Sequence, residues 1–191
     1  MKIPNLLTII RFILIPIIGV LLYSSNPKYV LATIPLFIIS IITDYADGEI
    51  ARKFKQKSIF GTFFDPLVDK MLILTIMFIF ADMKIIPVWL VLLILSRELL
   101  VTGIRQVCSK PKKIVGANWM GKSKFSLQAL LVCYILFVIY FEKAGINIVV
   151  NNIPLFTRQL SFYFALVVTL IAIAFAFNFL YWHKKEMLAD L

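Results

Sequence analysis

The sequence predicts an all-α integral membrane protein with six transmembrane helices, the first continuing from an N-terminal interfacial helix, and both termini cytoplasmic. Three observations predict it. Hydrophobic residues are 61% of the 191 and charged residues only 16%, against about 45–50% and 25% in a soluble domain. Mean hydropathy is +0.94. The apolar residues also gather into six runs, each near the ~20 residues that cross a bilayer, with basic residues collected at alternate ends. A chain of this length is expected to form a single domain, 1–191, with no soluble domain and no internal repeat.

The first run, residues 1–24, has a basic start and an apolar body but no small-x-small cleavage site, so it is not read as a signal peptide. Asn5, Thr8 and Arg11 recur every three residues. On a helix they form a polar stripe, so the segment enters at the interface and continues as span one. Simple interfacial anchoring is the competing reading of the stripe. Span two runs from about Tyr29 to Ala51, with Pro35 as a kink site. Span three runs from about Gly61 to Ala81, and span four from about Ile85 to Val107. Spans five and six cover about Lys122 to Phe141 and Leu160 to Trp182.

Orientation follows from the basic residues. Lys2, Arg11, Arg52, Lys53, Lys55, Lys57, Lys110, Lys112, Lys113, Lys122, Lys124, Lys184 and Lys185 fall on one side. Only Lys28, Lys84, Lys143 and Arg158 fall on the other. The richer side is cytoplasmic, which places both termini there. Net charge is +10. Anionic lipid, an anionic substrate and topology account for that excess better than nucleic acid does, because the cations sit at the ends of apolar runs. Cys108 and Cys133 share no CxxC spacing and are read as packed thiols. His183 abuts Lys184 and Lys185 and is a headgroup-level residue rather than a ligand.

Chemistry concentrates between residues 44 and 69. Of ten acidic residues, Asp44, Asp47, Asp65 and Asp69 stand in this window. On helices, the first two are an i, i+3 pair and the last two an i, i+4 pair, so each pair projects from one face. Gly48, Gly61 and a basic bend (Arg52, Lys53, Lys55, Lys57) lie between them. Clustered carboxylates repel one another and are costly to desolvate, so a cation is expected among them. Oxygen-only ligands favour Mg²⁺ or Mn²⁺, and shared carboxylates can bridge two ions. Solvated charges at helix ends are the competing reading.

The pattern Asp44-x2-Asp47-Gly48-x2-Ala51-Arg52-x8-Gly61-x3-Asp65-x3-Asp69 resembles the signature of the CDP-alcohol phosphatidyltransferase family, with every fixed position and spacing present. The segment from Ile3-Pro4-Asn5 to Leu14-Ile15-Pro16 is similar to the family's amino terminus. The resemblance implies transfer of a phosphatidyl group from CDP-diacylglycerol to an alcohol with release of CMP. It implies Asp44, Asp47, Asp65 and Asp69 as ligands of two metal ions, and Asp69 as the general base for the acceptor hydroxyl. It further implies that Asn5, Thr8, Gly48, Arg52, Ser58 and Gly61 line the nucleotide-lipid site. For Gly48 and Gly61, close helix packing is an alternative use. A homodimer through membrane helices is also implied, in the cell (inner) membrane with the active site facing the cytoplasm.

Span four adds Arg97, Glu98, Thr102 and Arg105. Glu98 and Arg105 are seven apart and nearly aligned; Arg97 lies about 80° from Arg105. Ionisable residues inside a span are functional candidates, with a structural ion pair involving Glu98 as the alternative. Lys122 and Lys124 follow at the start of span five. Arg97, Arg105, Lys122 and Lys124 suit a phosphate on a small acceptor; the two lysines alone could simply anchor the span. These stretches resemble the bacterial branch of the family whose acceptor is sn-glycerol 3-phosphate. Inositol phosphate or phosphatidylglycerol as acceptor stays open. A cation transporter is the rival from another class, but it should carry acids at several depths, and Tyr29–Thr43 and Lys70–Ala81 carry none.

Overall fold

The computed structural model describes the backbone of residues 3–53, 59–108, 119–150 and 153–188, and the side chains of 9–43, 68, 70–104, 126–149 and 155–181. Among the described residues six helices follow in order: α1 (Ile3–Tyr23), α2 (Pro27–Lys53), α3 (Ile59–Asp82), α4 (Val88–Cys108), α5 (Trp119–Ala144) and α6 (Arg158–Leu188). The six expected helical segments are therefore present. At 1.5 Å per residue each is at least ~30 Å long. Two of them, over Ser126–Ala144 and Arg158–Tyr181, are long and apolar enough to cross a membrane among the described residues; Ile9–Tyr23 and Pro27–Thr43 are shorter apolar stretches.

Two details depart from the sequence reading. A small antiparallel ladder, β1 (Val149–Val150) with β2 (Ile153–Pro154), pairs Val149 with Pro154 and Val150 with Ile153. The fold is thus helical with one two-residue hairpin; β-branched residues on both sides of a short connection favour that pairing. Helix α4 also begins at Val88 rather than near Ile85. Lys84 takes φ 57°, and Ile86 precedes Pro87, which disfavours helical backbone at Ile86.

The residues form two compact units, Met1–Phe80 with Val132–Thr157, and Ala81–Leu131 with Arg158–Leu191. In the first, α1 and α2 pack as a hairpin. The turn is explicit in the sequence: Asn26 caps α2 by accepting from the Lys28 N–H at 3.0 Å, and Pro27 occupies the first helical position, where its missing donor costs nothing. Arg11, Ile15, Ile18 and Leu22 form the inner stripe of α1, all buried, while Ile10, Phe12, Ile13 and Val20 face outward. Gly19 of α1 lies beside Ile79 of α3: a methyl group there would stand 3.4 Å from Ile79 Cδ1, an ordinary van der Waals contact. Lys143 near the end of α5 donates to the carbonyls of Leu22 (2.9 Å) and Ser24 (2.6 Å), closing the C-terminus of α1. Helix α5 stops in a Schellman motif, with Gly145 at φ 68° and Ile146 N–H bonded to Phe141 O at 3.0 Å. Phe141 and Phe156 then meet with tilted rings, 4.8 Å between centroids, and Tyr134 donates its hydroxyl to Leu155 O at 2.8 Å, which holds the segment after β2 against α5.

In the second unit α4 packs along α6. The α6 face is built from small residues, Ser161, Ala165, Thr169 and Ala172, all buried at helical spacing, which permits close approach of the backbones. Opposite them α4 offers Leu90, Val91, Ile94 and Arg97. Arg158 ties the start of α6 to Met83 O at 3.0 Å. Hydroxyls inside helices bond to carbonyls one turn earlier, as in Thr33 to Val30, Ser40 to Leu36 and Thr169 to Ala165. Polar groups in apolar stretches are thereby satisfied within their own helix.

Candidate active site

The aspartate signature lies on two consecutive helices of the first unit. Asp44, Asp47, Gly48 and Arg52 are in the C-terminal part of α2; Gly61, Asp65 and Asp69 are in the N-terminal part of α3. Their side chains are outside the described set, and Ser58 is outside the described residues altogether. The helical backbone nonetheless fixes their register. On α2, Thr33, Phe37 and Ser40 are buried, and positions 44 and 47 continue that stripe at spacings of four and seven from Ser40. On α3, Leu72 and Ile76 are buried, and positions 65 and 69 precede Leu72 by seven and three. Each pair therefore shares one helical register. The α2 stripe grows more polar towards the pair, from Phe37 through Ser40, whose hydroxyl bonds Leu36 O at 2.8 Å. At the amino end, positions 5 and 8 belong to the same helix as the buried Arg11, 2% exposed.

A metal fits this donor set on chemical grounds. Four carboxylates at i, i+3 and i, i+4 spacing, on helices consecutive in sequence, form an all-oxygen set of the kind hard divalent cations take. Among the described side chains no group of three histidine, cysteine, aspartate or glutamate ligands converges, so the aspartates are the donor set to consider.

The second constellation belongs to the other unit. Arg97 on α4 is 5% exposed. Its Nε donates to Ala172 O of α6 at 2.9 Å, and its Nη1 to Glu98 Oε1 at 2.5 Å. The structural ion pair that the sequence offered as an alternative for Glu98 thus exists, with Arg97 as its cation. Thr102 bonds back to Glu98 O at 2.7 Å. Arg105 lies in the last turn of α4, and Lys122 and Lys124 in the first turns of α5; their side chains are outside the described set. Sequence reasoning passed over Gln128, a buried amide on α5. The available signal was one polar residue inside Leu127–Val132, which is otherwise aliphatic, four positions after Lys124.

The chain is similar to known proteins along most of its length. The CDP-alcohol phosphatidyltransferase family profile matches residues 1–182. A Bacillus subtilis protein named CDP-diacylglycerol–glycerol-3-phosphate 3-phosphatidyltransferase is 37% identical over 147 residues, 71% of this chain and 76% of the relative. Proteins of the same name from Rickettsia typhi (37% over 153 residues, 75% of this chain and 84% of the relative) and Salmonella choleraesuis (32% over 153 residues, 76% and 83%) are also similar. A family profile spanning nearly the whole sequence, over helices that carry the full aspartate signature, identifies this chain as a member of the CDP-alcohol phosphatidyltransferase family.

Proposed function

We propose that the protein transfers the phosphatidyl group of CDP-diacylglycerol to sn-glycerol 3-phosphate, giving phosphatidylglycerol phosphate and CMP. The observation that carries this reading is the complete aspartate signature on the consecutive helices α2 and α3, in a chain whose relatives bear that enzyme's name. The helices would cross the membrane as six spans with both termini in the cytoplasm, as the distribution of basic residues supports. The aspartates then stand at the cytoplasmic headgroup level, where a lipid donor and a water-soluble acceptor meet.

Asp44, Asp47 and Asp65 would hold Mg²⁺ or Mn²⁺, with Asp69 sharing a second ion. When bound, the metal supplies charge neutralisation at the diphosphate and at the departing CMP. Asp69, the deepest of the four, takes the proton from the acceptor hydroxyl. The hydroxyl oxygen bonds to the phosphorus that carries the diacylglycerol, and the bond from that phosphorus to the bridging oxygen breaks, leaving the oxygen on CMP. Arg52 steadies the diphosphate, and Gly48 and Gly61 leave room for the nucleotide. Asn5, Thr8 and Ser58 complete the nucleotide-lipid contacts.

The acceptor phosphate is assigned to Arg105, Lys122 and Lys124, together with Arg97. For Arg97, Nε and one hydrogen of Nη1 are already engaged, so the other Nη hydrogens are the ones that would meet a ligand oxygen. The pair with Glu98 holds the guanidinium plane in place for that contact. A homodimer, as the family resemblance implies, completes the proposal.

The test is CMP release from CDP-diacylglycerol by the full chain in lipid–detergent micelles. Glycerol 3-phosphate, inositol phosphate, serine and phosphatidylglycerol are supplied separately, with Mg²⁺ or with chelator. Release that needs glycerol 3-phosphate and metal, and that falls by at least ~10²-fold in Asp69→Asn, is the expected result. Release with a different acceptor would keep the chemistry and discard this acceptor. Silence with every acceptor, with metal flux in liposomes, would replace the enzyme reading by a transporter.

A further inference from the structure

The N-terminal half of α5 holds a buried group that the reaction above leaves without a role. Gln128 is 4% exposed, and among the described residues its amide Nε2 has no hydrogen-bond partner. A buried donor without an acceptor is less stable than a hydrocarbon of the same shape. Its retention is understandable where a ligand supplies the acceptor.

The position on α5 indicates which ligand. Towards the C-terminus the same face continues through Leu131, Val132 and Ile135, all fully buried and aliphatic. Towards the N-terminus, four residues earlier, stands Lys124, and residues four apart share a helical face. Along about two turns the face therefore passes from cation to amide to hydrocarbon. The rise from position 124 to 128 is ~6 Å, a length that a three-carbon phosphate ester spans. Such a face matches a small molecule that is anionic at one end and carries a neutral hydroxyl further in, with nothing polar beyond it.

We propose that Gln128 donates its amide N–H to the middle hydroxyl oxygen of the acceptor while the acceptor phosphate is held at Lys124. It thereby selects a hydroxylated phosphate ester over one without that hydroxyl. The inference rests on the glycerol 3-phosphate reading and deepens it. With the phosphate and the middle hydroxyl both fixed, the terminal hydroxyl that attacks has few orientations left, so Gln128 acts on acceptor binding and alignment. It takes no part in proton transfer.

The experiment compares wild type, Gln128→Leu and Gln128→Met in the full chain, in lipid–detergent micelles. CMP release is followed with glycerol 3-phosphate and with 3-hydroxypropyl phosphate, which keeps the phosphate and the attacking hydroxyl but lacks the middle one. Wild type should prefer glycerol 3-phosphate by about 10-fold or more in kcat/KM, and both variants should prefer it by less than about 2-fold. The KM for glycerol 3-phosphate should rise while that for CDP-diacylglycerol stays. Thermal unfolding without substrates gives an independent readout. Removing an unpaired buried donor should leave the variants at least as heat-resistant as wild type. Variants that unfold earlier, or fail to fold, would make Gln128 a structural residue and overturn the proposal, as would an equal loss with both acceptors. If wild type uses glycerol 3-phosphate and the variants keep its preference, only the Gln128 assignment falls. If wild type ignores glycerol 3-phosphate, the functional reading falls and takes this subsite with it.

Discussion

Replacing Arg97 with methionine tests whether the α4–α6 packing depends on a compensated buried charge. The substitution keeps a long apolar stem and removes the guanidinium. Two things are lost: the bond to Ala172 O and the bond to Glu98 Oε1. Ala172 O still accepts from its own helix, so its loss is minor. The Glu98 carboxylate is the expensive partner, because its side chain is only 13% exposed. Removing one member of a buried pair typically costs about 3–5 kcal/mol. Glu98 keeps some solvent contact and a further interaction, so about 2–4 kcal/mol is expected here. For a chain of this size that lowers the unfolding midpoint by roughly 5–15 °C. The assay heats the protein in detergent and follows loss of the monodisperse peak. The double variant Arg97→Met/Glu98→Met removes both charges and should recover most of the deficit, to within about 1 kcal/mol of wild type. A double variant no better than the sum of the two singles would refute the reasoning, because the charge on Glu98 would then not be the source of the cost.

Two further substitutions probe how the first unit is closed. Lys143→Met removes both donors to the end of α1; a loss of about 1–2 kcal/mol is expected, read as an earlier unfolding midpoint with CMP release per folded molecule unchanged. Gly145→Ala places a side chain at φ 68° and should cost about 1 kcal/mol. The same assay reads it, and Gly145→Asn, which tolerates that backbone better, should fall between the two.

Much of the fold could be read from apolar runs because each run encodes its own helix. The ends that were misread have local causes: Lys84 and Ile86 delay α4, and Val149–Val150 pairs where only a connection was expected. The aspartate pairs were legible because their spacing is itself helical, and both pairs fall on helices. The partner of Arg97 was not legible in full. Glu98 is adjacent in sequence, but Ala172 contributes only a backbone carbonyl, which no residue type announces. The same is true of Lys143, whose acceptors are the carbonyls of Leu22 and Ser24. Ser161, Ala165 and Thr169 did carry a small-residue signal for close packing, visible once a partner helix is known.

The clamp between Lys143 and the end of α1 also sets an order of events during synthesis. The two ends of this contact are separated by 121 residues in one bond and 119 in the other. At about 5–20 residues per second, the ribosome needs roughly 6–24 s to deliver the lysine after the carbonyls have emerged. The α1–α2 hairpin can form early, because its turn carries its own cap in Asn26 and Pro27. The last carbonyls of α1 must meanwhile be served by other donors such as water, and the nascent chain gains its closing contact only when α5 arrives. A ribosome stalled after α2 has emerged but before Lys143 is made would hold a hairpin that is folded but unlatched.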